Sequence, residues 1–282
     1  MSQSAALSHQ DMVALHARSH RLVKTSGFAS IEKFVLYLIH VHPYFRATAI
    51  ARGKAVLDLG CNNGYGSEML AYAAKSVSGC DVSERAITAA KALTPPKPID
   101  FRVIDGITLP YADNSFDLVM CCQVIEHVVD SVAFLAELKR VMAPGGVAVF
   151  TTPNACIRLD PGMKPWNRFH VTEYTPTELQ EFMGQHFPHV RLAGLFAADD
   201  IARVELERVD RKRIARRQGG KGASSPAEQV DDREAFIASY GVRDLYFGQE
   251  QLEASIDLAA VCALDGDALD AACSGLAVRS AA

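Results

Sequence analysis

The stretch Ala55–Glu68, AVLDLGCNNGYGSE, constrains this chain more than any other. Val56, Leu57 and Leu59 read as a buried strand that breaks at Gly60, and a helical pattern starts near Gly64. The corner between them carries Gly60, Gly64 and Gly66, with Asn62 and Asn63 in the middle. Glycine admits positive φ and close backbone approach, and a new helix N-terminus presents unpaired N–H groups, so the corner suits a polar cofactor. The next apolar run, SVSGCDV, reaches Asp81 about twenty positions on, where an acidic strand tip is placed to accept hydrogen bonds from ribose hydroxyls. Dinucleotide-binding enzymes share this device but prefer G-x-G-x-x-G, which the corner does not spell. A nicotinamide-dependent oxidoreductase therefore stays open at this point.

The rest of the chain alternates strand and helix. Strands are expected near 55–60, 77–82, 100–105, 117–122 and 147–152, with helices near 65–75, 84–93 and 131–142. Alternation of apolar strands with helices implies an α/β fold, a parallel sheet covered on both faces by right-handed crossovers. Such sheets bind ligands at the carboxyl ends of their strands, and Gly60, Asp81, Asp105 and Gln123 all fall at that edge. Val190–Ala197 reads as a sixth strand and Ala254–Ala263 as a seventh. Five segments follow: an N-terminal helical cap (1–53), the core (54–198), a charged helix with linker and connecting insertion (199–253), the last core strand (254–264) and a loosely attached tail (265–282). Within the cap, Ile31, Phe34, Val35, Leu38 and Ile39 recur at helical spacing until His42-Pro43 breaks the pattern.

VLDLGCNNGYGS, GCDVS, FRVIDGITLPYADNSFDLVMCCQVIEHV and RVMAPGGVAVFTTPN, in that order over about a hundred residues, resemble the successive motifs of class I S-adenosylmethionine-dependent methyltransferases. That family usually spells its first motif D/E-x-G-x-G-x-G. Here Asn62 takes the middle glycine's place, and asparagine tolerates left-handed backbone better than other side chains. The resemblance implies a Rossmann-like, seven-stranded, mostly parallel sheet with an antiparallel last strand, and S-adenosylmethionine as cofactor. It also implies that the N-terminal helices lie over the cofactor and substrate cleft. Carried over residue by residue, Asp58, Gly60, Asn62 and Gly64 would hold the methionine half, and Asp81 the ribose hydroxyls. Val82 would pack on adenine, Asp105 with the backbone of Gly106 and Ile107 would take the adenine amine, and Gln123 would contact the methionine or the acceptor. Asp58 has a structural alternative as a residue pinning the amides of the glycine loop.

Glu126-His127 begins the connection after the fourth strand. In quinone-type O-methyltransferases a similar E-H step, preceded by a glutamate three residues earlier, resembles a magnesium site. Gln123 occupies that earlier position and is a poor ligand for a hard cation, so no metal is expected. His127 is then a candidate base, with Glu126 orienting it or merely capping the next helix. After the fifth strand, Trp166, Asn167, Arg168, His170, Glu173 and Tyr174 crowd an irregular loop marked by Pro153, Pro161, Gly162 and Pro165. Its run N-x-F-H-V-x-E-Y resembles the one in methyltransferases acting on sugars and glycans. Aromatic faces suit sugar rings and the polar side chains suit their hydroxyls, with His170 a second candidate base.

Other features exclude more than they assign. A formal net charge of −4 gives no basic field for nucleic acid, and FVLYLIHV is too short to span a bilayer. A cytoplasmic protein without membrane insertion is expected, with a homodimer left open. The seven cysteines show no zinc spacing and read as core packing. His9, His16, His20, His40 and His42 lack partners at metal spacing and read as surface or packing residues. Arg211, Lys212, Arg213, Arg216 and Arg217 could dock an anionic glycan, lipid headgroups or nucleic acid, but with acidic residues on both flanks they read as a solvated helix face before the flexible run GGKGASSP. The two resemblances together imply an enzyme that O-methylates a sugar, glycan or glycosylated metabolite. A quinone or other natural-product phenol is the alternative acceptor. A non-catalytic partner subunit of the same fold is the alternative of another class.

Overall fold

The computed structural model describes residues 22–219 and 229–278, together with positions 10, 13, 14 and 17. His9, His16, His20 and all but the first residue of GGKGASSP lie outside these. Nine helices and eight strands are assigned within them. In chain order they are α1 (Ile31–Ala47), β1 (Ala55–Leu59), α2 (Tyr65–Ala71), β2 (Ser76–Asp81), α3 (Glu84–Lys91), β3 (Ile99–Val103) and β4 (Phe116–Cys122). There follow α4 (Ser131–Val141), β5 (Met142–Pro153), α5 (Ala155–Arg158), α6 (Pro176–His186), β6 (His189–Ala197) and α7 (Asp199–Arg217). The last elements are α8 (Val230–Ser239), β7 (Leu245–Gly248), β8 (Asp257–Ala263) and α9 (Gly266–Gly275).

The strands form one sheet in the order β3-β2-β1-β4-β5-β8-β6-β7. Strands β1 to β5 pair in parallel, whereas β8 runs antiparallel to both β5 and β6, and β7 antiparallel to β6. The expected mostly parallel Rossmann-like sheet is present, but with eight strands in place of seven. The additional strand is the four-residue LYFG edge, too short to carry an alternating pattern of its own and held by pairing with Gly194–Ala197 of β6.

Alternation along the central strands divides the core between two faces. Leu57, Val119, Cys121, Ala148 and Phe150 meet Leu135 and Leu138 of α4 and Leu179 and Met183 of α6. Val56, Leu118, Met120, Val147 and Val149 meet Tyr44 and Ala47 of α1, Leu70 of α2, and Leu269, Ala272 and Cys273 of α9. Residues 266–275, expected in a loose tail, are thus a helix packed on the sheet. Six of the seven cysteines are buried and none is paired. No described helix is long and apolar enough to cross a membrane.

Helix α1 also departs from expectation, because it runs through Pro43 to Ala47. Proline removes one backbone donor and costs a helix interior ~3 kcal/mol. Burial of Tyr44 and Ala47 beyond it holds the helix on course. Tyr44 is also anchored, its hydroxyl donating to the buried Asp58 carboxylate at 2.8 Å. Gly66 in α2 lies against this ring, and a Cβ there would stand 2.4 Å from its carbons. Gly66→Ala is therefore expected to lower stability by ~1–3 kcal/mol through overpacking. Urea denaturation measures this, and an unchanged midpoint would refute the close approach.

Candidate functional site

A cavity of about 1070 Å³ opens at the carboxyl ends of the parallel strands. From the β1–α2 corner it is lined by Gly60, Asn62 and Tyr65, from the end of β2 by Asp81 and Val82, and after β3 by Ile104 and Gly106. Gly60 has φ 81° and Asn62 φ 51°, so asparagine does adopt the left-handed backbone that its position demands. A Cβ on Gly60 would meet the Val124 side chain at 2.3 Å, which excludes any larger residue at the cavity wall. Asp81 fixes the corner: one carboxylate oxygen accepts from the Asn62 amide at 2.9 Å and the other from the Ser83 amide at 2.9 Å.

Some of the expected donor-side residues stand behind the wall instead. Asp58 is fully buried and accepts from Tyr44 and, at 2.6 Å, from the Ser67 hydroxyl. Burial raises its carboxyl to about 6 although both hydroxyls pull it down. It braces α1 and α2 against β1, taking the Ser67 backbone amide in the first turn after the glycine corner as well as its hydroxyl. Gly64 has φ 79° and backs onto Phe101, Leu93 and Ala90. Asp105 is exposed and folds back to accept from the amides of Ile107 and Thr108, so that its neighbours Ile104 and Gly106, not Asp105 and Ile107, reach the cavity. Gln123 does line it, with φ 57° and its amide donating to Asp257 at 2.9 Å. The N-terminal segment covers the corner: the Val23 amide donates to the Asn62 side chain, and Val13, Val23, Leu36, Ile39 and His40 also line the cavity.

At the other side Glu126, His127 and His170 converge, each offering a ligand or proton-transfer atom within 4.8 Å of the others. The backbone builds this cluster. Ile125–His127 form a single 3-10 turn after β4, and the carbonyl of Glu126 accepts from the Val171 amide at 2.7 Å, sewing the irregular loop to the sheet edge. His127 Nδ1 lies 2.9 Å from the Phe169 carbonyl, and His170 Nδ1 lies 2.6 Å from Glu173. Both contacts direct an Nδ1 proton to an oxygen acceptor, which leaves Nε2 as the acceptor in a neutral ring. Glu173 is buried and also receives two hydrogen bonds from Arg158, at 2.9 and 3.1 Å. Burial would push its carboxyl up, but His170 and Arg158 outweigh that and hold it below the usual range. Glu126 is fully buried, and burial raises its carboxyl.

Trp166, Asn167 and Arg168 line the cavity as expected, with the Arg158 guanidinium 4.3 Å from the Trp166 ring centre. Glu173 and Tyr174 do not: Glu173 supports His170, and Tyr174 stacks on Phe182 while its backbone bridges to Asn154. One group of lining residues has no counterpart among the expected sites. Glu205, Arg208, Lys212 and Arg216 form a stripe along α7 that faces the cavity, joined by Arg158 and by Asp257 at the start of β8. Their spacing of three and four residues is visible in the sequence, but basic residues on the other faces hide it. Arg211, Arg213 and Arg217 instead pair with Glu32, Asp210 and Asp160. The expected solvated face is thus a cavity wall on one side and an ion-paired surface on the other. Lys212 has no carboxylate partner among the described residues, and burial, together with Arg208 and Arg158 nearby, lowers its ammonium to about 8.

A family whose description is "Methyltransferase domain" matches residues 57–150. A probable S-adenosylmethionine-dependent methyltransferase of Mycolicibacterium smegmatis is 38% identical over 145 residues, 51% of this chain and 55% of its own length. A ubiquinone biosynthesis O-methyltransferase of Rhizobium rhizogenes is 35% identical over 108 residues, 38% of this chain and 44% of its own. The chain spans about half the length of these curated relatives. Among solved structures, the (4+2)-cyclase SpnF aligns with 94% of this chain and all of its own at TM-score 0.56 and 19% identity, a likeness of fold.

Asp257 yields a prediction about this cavity. Burial, reinforced by the negative Glu205, raises its carboxyl from 3.8 to about 8. The folded chain thus retains a proton that the unfolded chain releases, and this contribution to stability is lost as pH rises between those values. Asp257→Asn keeps an acceptor for Gln123 and has no proton to lose. Its thermal midpoint relative to the wild type is expected to rise from pH 4.5 to pH ~8.5, as read by circular dichroism. Parallel profiles would contradict the assignment.

Proposed function

The chain belongs through its core to the class I S-adenosylmethionine-dependent methyltransferase family, and on that premise we propose that it transfers the sulfonium methyl of S-adenosylmethionine to a hydroxyl oxygen. The observation that carries this reading is a single cavity with the glycine corner and Asp81 at one side and Glu126, His127 and His170 at the other. In this reading Gly60, Asn62, Asp81, Val82 and Gly106 hold the nucleoside and methionine halves. On the same reading a ribose hydroxyl donates to the Asp81 carboxylate at the end of β2. As the oxygen attacks, the carbon–sulfur bond breaks with its electron pair going to sulfur, and the hydroxyl proton leaves. Holding oxygen and methyl in line supplies most of the rate, and a group that takes up the proton adds a smaller factor. His127 and His170, both presenting Nε2 as acceptor, are the residues assigned to that role.

The acceptor is a sugar or glycan hydroxyl in this reading, with Trp166, Asn167 and Arg168 on its face of the cavity. Lys212 and Arg216 favour an acidic sugar, since they line the same cavity without a carboxylate partner among the described residues. A phenolic acceptor is the second reading, favoured by the likeness to relatives named as ubiquinone biosynthesis O-methyltransferases. Methyl transfer to uronic-acid glycans against catechols separates the two.

Calorimetry with S-adenosylmethionine tests the donor side. Asp81→Ala is expected to weaken binding by roughly 10–100-fold, equivalent to the ~1.5–3 kcal/mol of a charge-assisted hydrogen bond. Unchanged affinity, or tighter binding of NAD than of S-adenosylmethionine by the wild type, would overturn it. On the acceptor side, His170→Ala is expected to lose ~100-fold or more in turnover with donor affinity intact. Unchanged turnover would remove His170 from the reaction.

A further inference from the structure

Glu126 presents an anomaly that methyl transfer alone does not require. Its side chain is fully buried; Oε2 accepts from the Thr152 hydroxyl at 3.1 Å, whereas Oε1 has no hydrogen-bond partner among the described residues. A buried carboxylate oxygen left without a partner is costly, and such an atom marks a missing ion or ligand more often than an error of folding. The atoms that surround it are two imidazoles. His127 and His170 place their rings edge to face, with centres 4.7 Å apart, and all three ligand atoms lie within 4.8 Å of one another.

The surroundings of the three side chains are those of a metal centre. A metal-binding histidine needs its second ring nitrogen held by a carbonyl or carboxylate, which fixes the tautomer and strengthens the ligand. His127 has the Phe169 carbonyl at 2.9 Å for this purpose and His170 has Glu173 at 2.6 Å, itself fixed by Arg158. Thr152 orients the carboxylate in the same way.

From this geometry we infer that Glu126, His127 and His170 form a binding site for one divalent transition-metal ion, open toward the cavity. The expectation of no metal rested on Gln123 standing where a third ligand was sought. In the structure Gln123 turns away to Asp257, and His170 brings the third ligand from the loop after β5, 43 positions beyond His127 and outside any local spacing. Two neutral imidazoles and one carboxylate suit zinc, cobalt, nickel or iron(II) better than magnesium or calcium, which prefer oxygen throughout. Three protein ligands leave coordination positions for a hydroxyl oxygen of the acceptor, whose proton such an ion makes easier to release to water at the open side of the cavity. That role rests on the methyl-transfer reading and would make the imidazoles ligands in place of bases; the binding of the ion does not rest on it.

The test uses the full chain, freed of metal by a chelator and titrated with Co(II) in the absence of S-adenosylmethionine and acceptor, so failure here and failure of the donor reading are separate results. Expected are saturation at one equivalent with visible d–d bands, and displacement by Zn(II). His127→Gln, His170→Gln and Glu126→Gln should each weaken binding by at least ~100-fold. Glu173→Gln, which removes an outer partner, should weaken it by ~10–100-fold. Circular dichroism verifies that each variant folds, and if Glu126→Gln does not, the two histidine variants decide. Wild-type protein without saturable binding, or folded variants that bind as the wild type does, would overturn the site.

Discussion

A buried acid with two hydroxyl partners holds the cavity together. Asp58 lies at the centre of the sheet, fully enclosed, and its two oxygens take hydrogen bonds from Tyr44 in α1 and Ser67 in α2. Burial, reinforced by the nearby Asp81, raises its carboxyl to about 6 even with both hydroxyl partners present, so loss of either would press it further toward the neutral form. The three groups therefore fix the N-terminal helix against the first strand and the helix that follows it. From α1 the chain supplies Leu36, Ile39 and His40 to the cavity wall, and Val23 fastens the preceding segment to Asn62. The cover over the glycine corner is set by the same residues that set the corner.

Charge within the cavity is divided in a way that suits its two sides. Near His170 and along α7, Arg158 with Glu173 and Arg208 with Glu205 are buried pairs that neutralise each other. Breaking such a pair strands a charge, so these residues act as a rigid frame more than as recognition groups. Asp257 and Glu126 are pushed toward their neutral forms, chiefly by burial. Lys212 and Arg216 then remain as the cations offered to a ligand from α7. The glycine corner, in contrast, presents Asp81, Asn62 and Tyr65 together with Gly60, Gly106 and the apolar Val82 and Ile104.

The alternation of apolar strands and helices made the parallel half of the sheet legible, and so did the glycine corner with Asp81 at its expected place. Asn62 behaved as its tolerance for positive φ implies. Where the reading of the sequence departed from the structure, tertiary contacts overrode local signals. Pro43 does not end α1, because buried residues beyond it, Tyr44 foremost, hold the next turn. LYFG is too short to declare itself a strand without its partner β6. Gly266–Gly275 resembles a tail by its small residues, yet Leu269, Ala272 and Cys273 are buried. Motif matching placed Asp105 and Asp58 at the ligand, whereas hydrogen bonds to their own surroundings hold them off the cavity wall. The cluster of Glu126, His127 and His170 joins segments 43 positions apart that no local spacing connects, whereas the stripe on α7 is regularly spaced but masked by basic residues on the other faces of the helix.

The methyl-transfer reading depends on the nucleoside end of the donor lying in the glycine corner. Ultraviolet cross-linking of radiolabelled S-adenosylmethionine to the full chain, followed by mapping of the labelled peptides, addresses that placement directly. The account predicts label within residues 60–65, 81–82 or 104–106, suppressed by excess S-adenosylhomocysteine. Label confined to other peptides, or unaffected by that competitor, would contradict it.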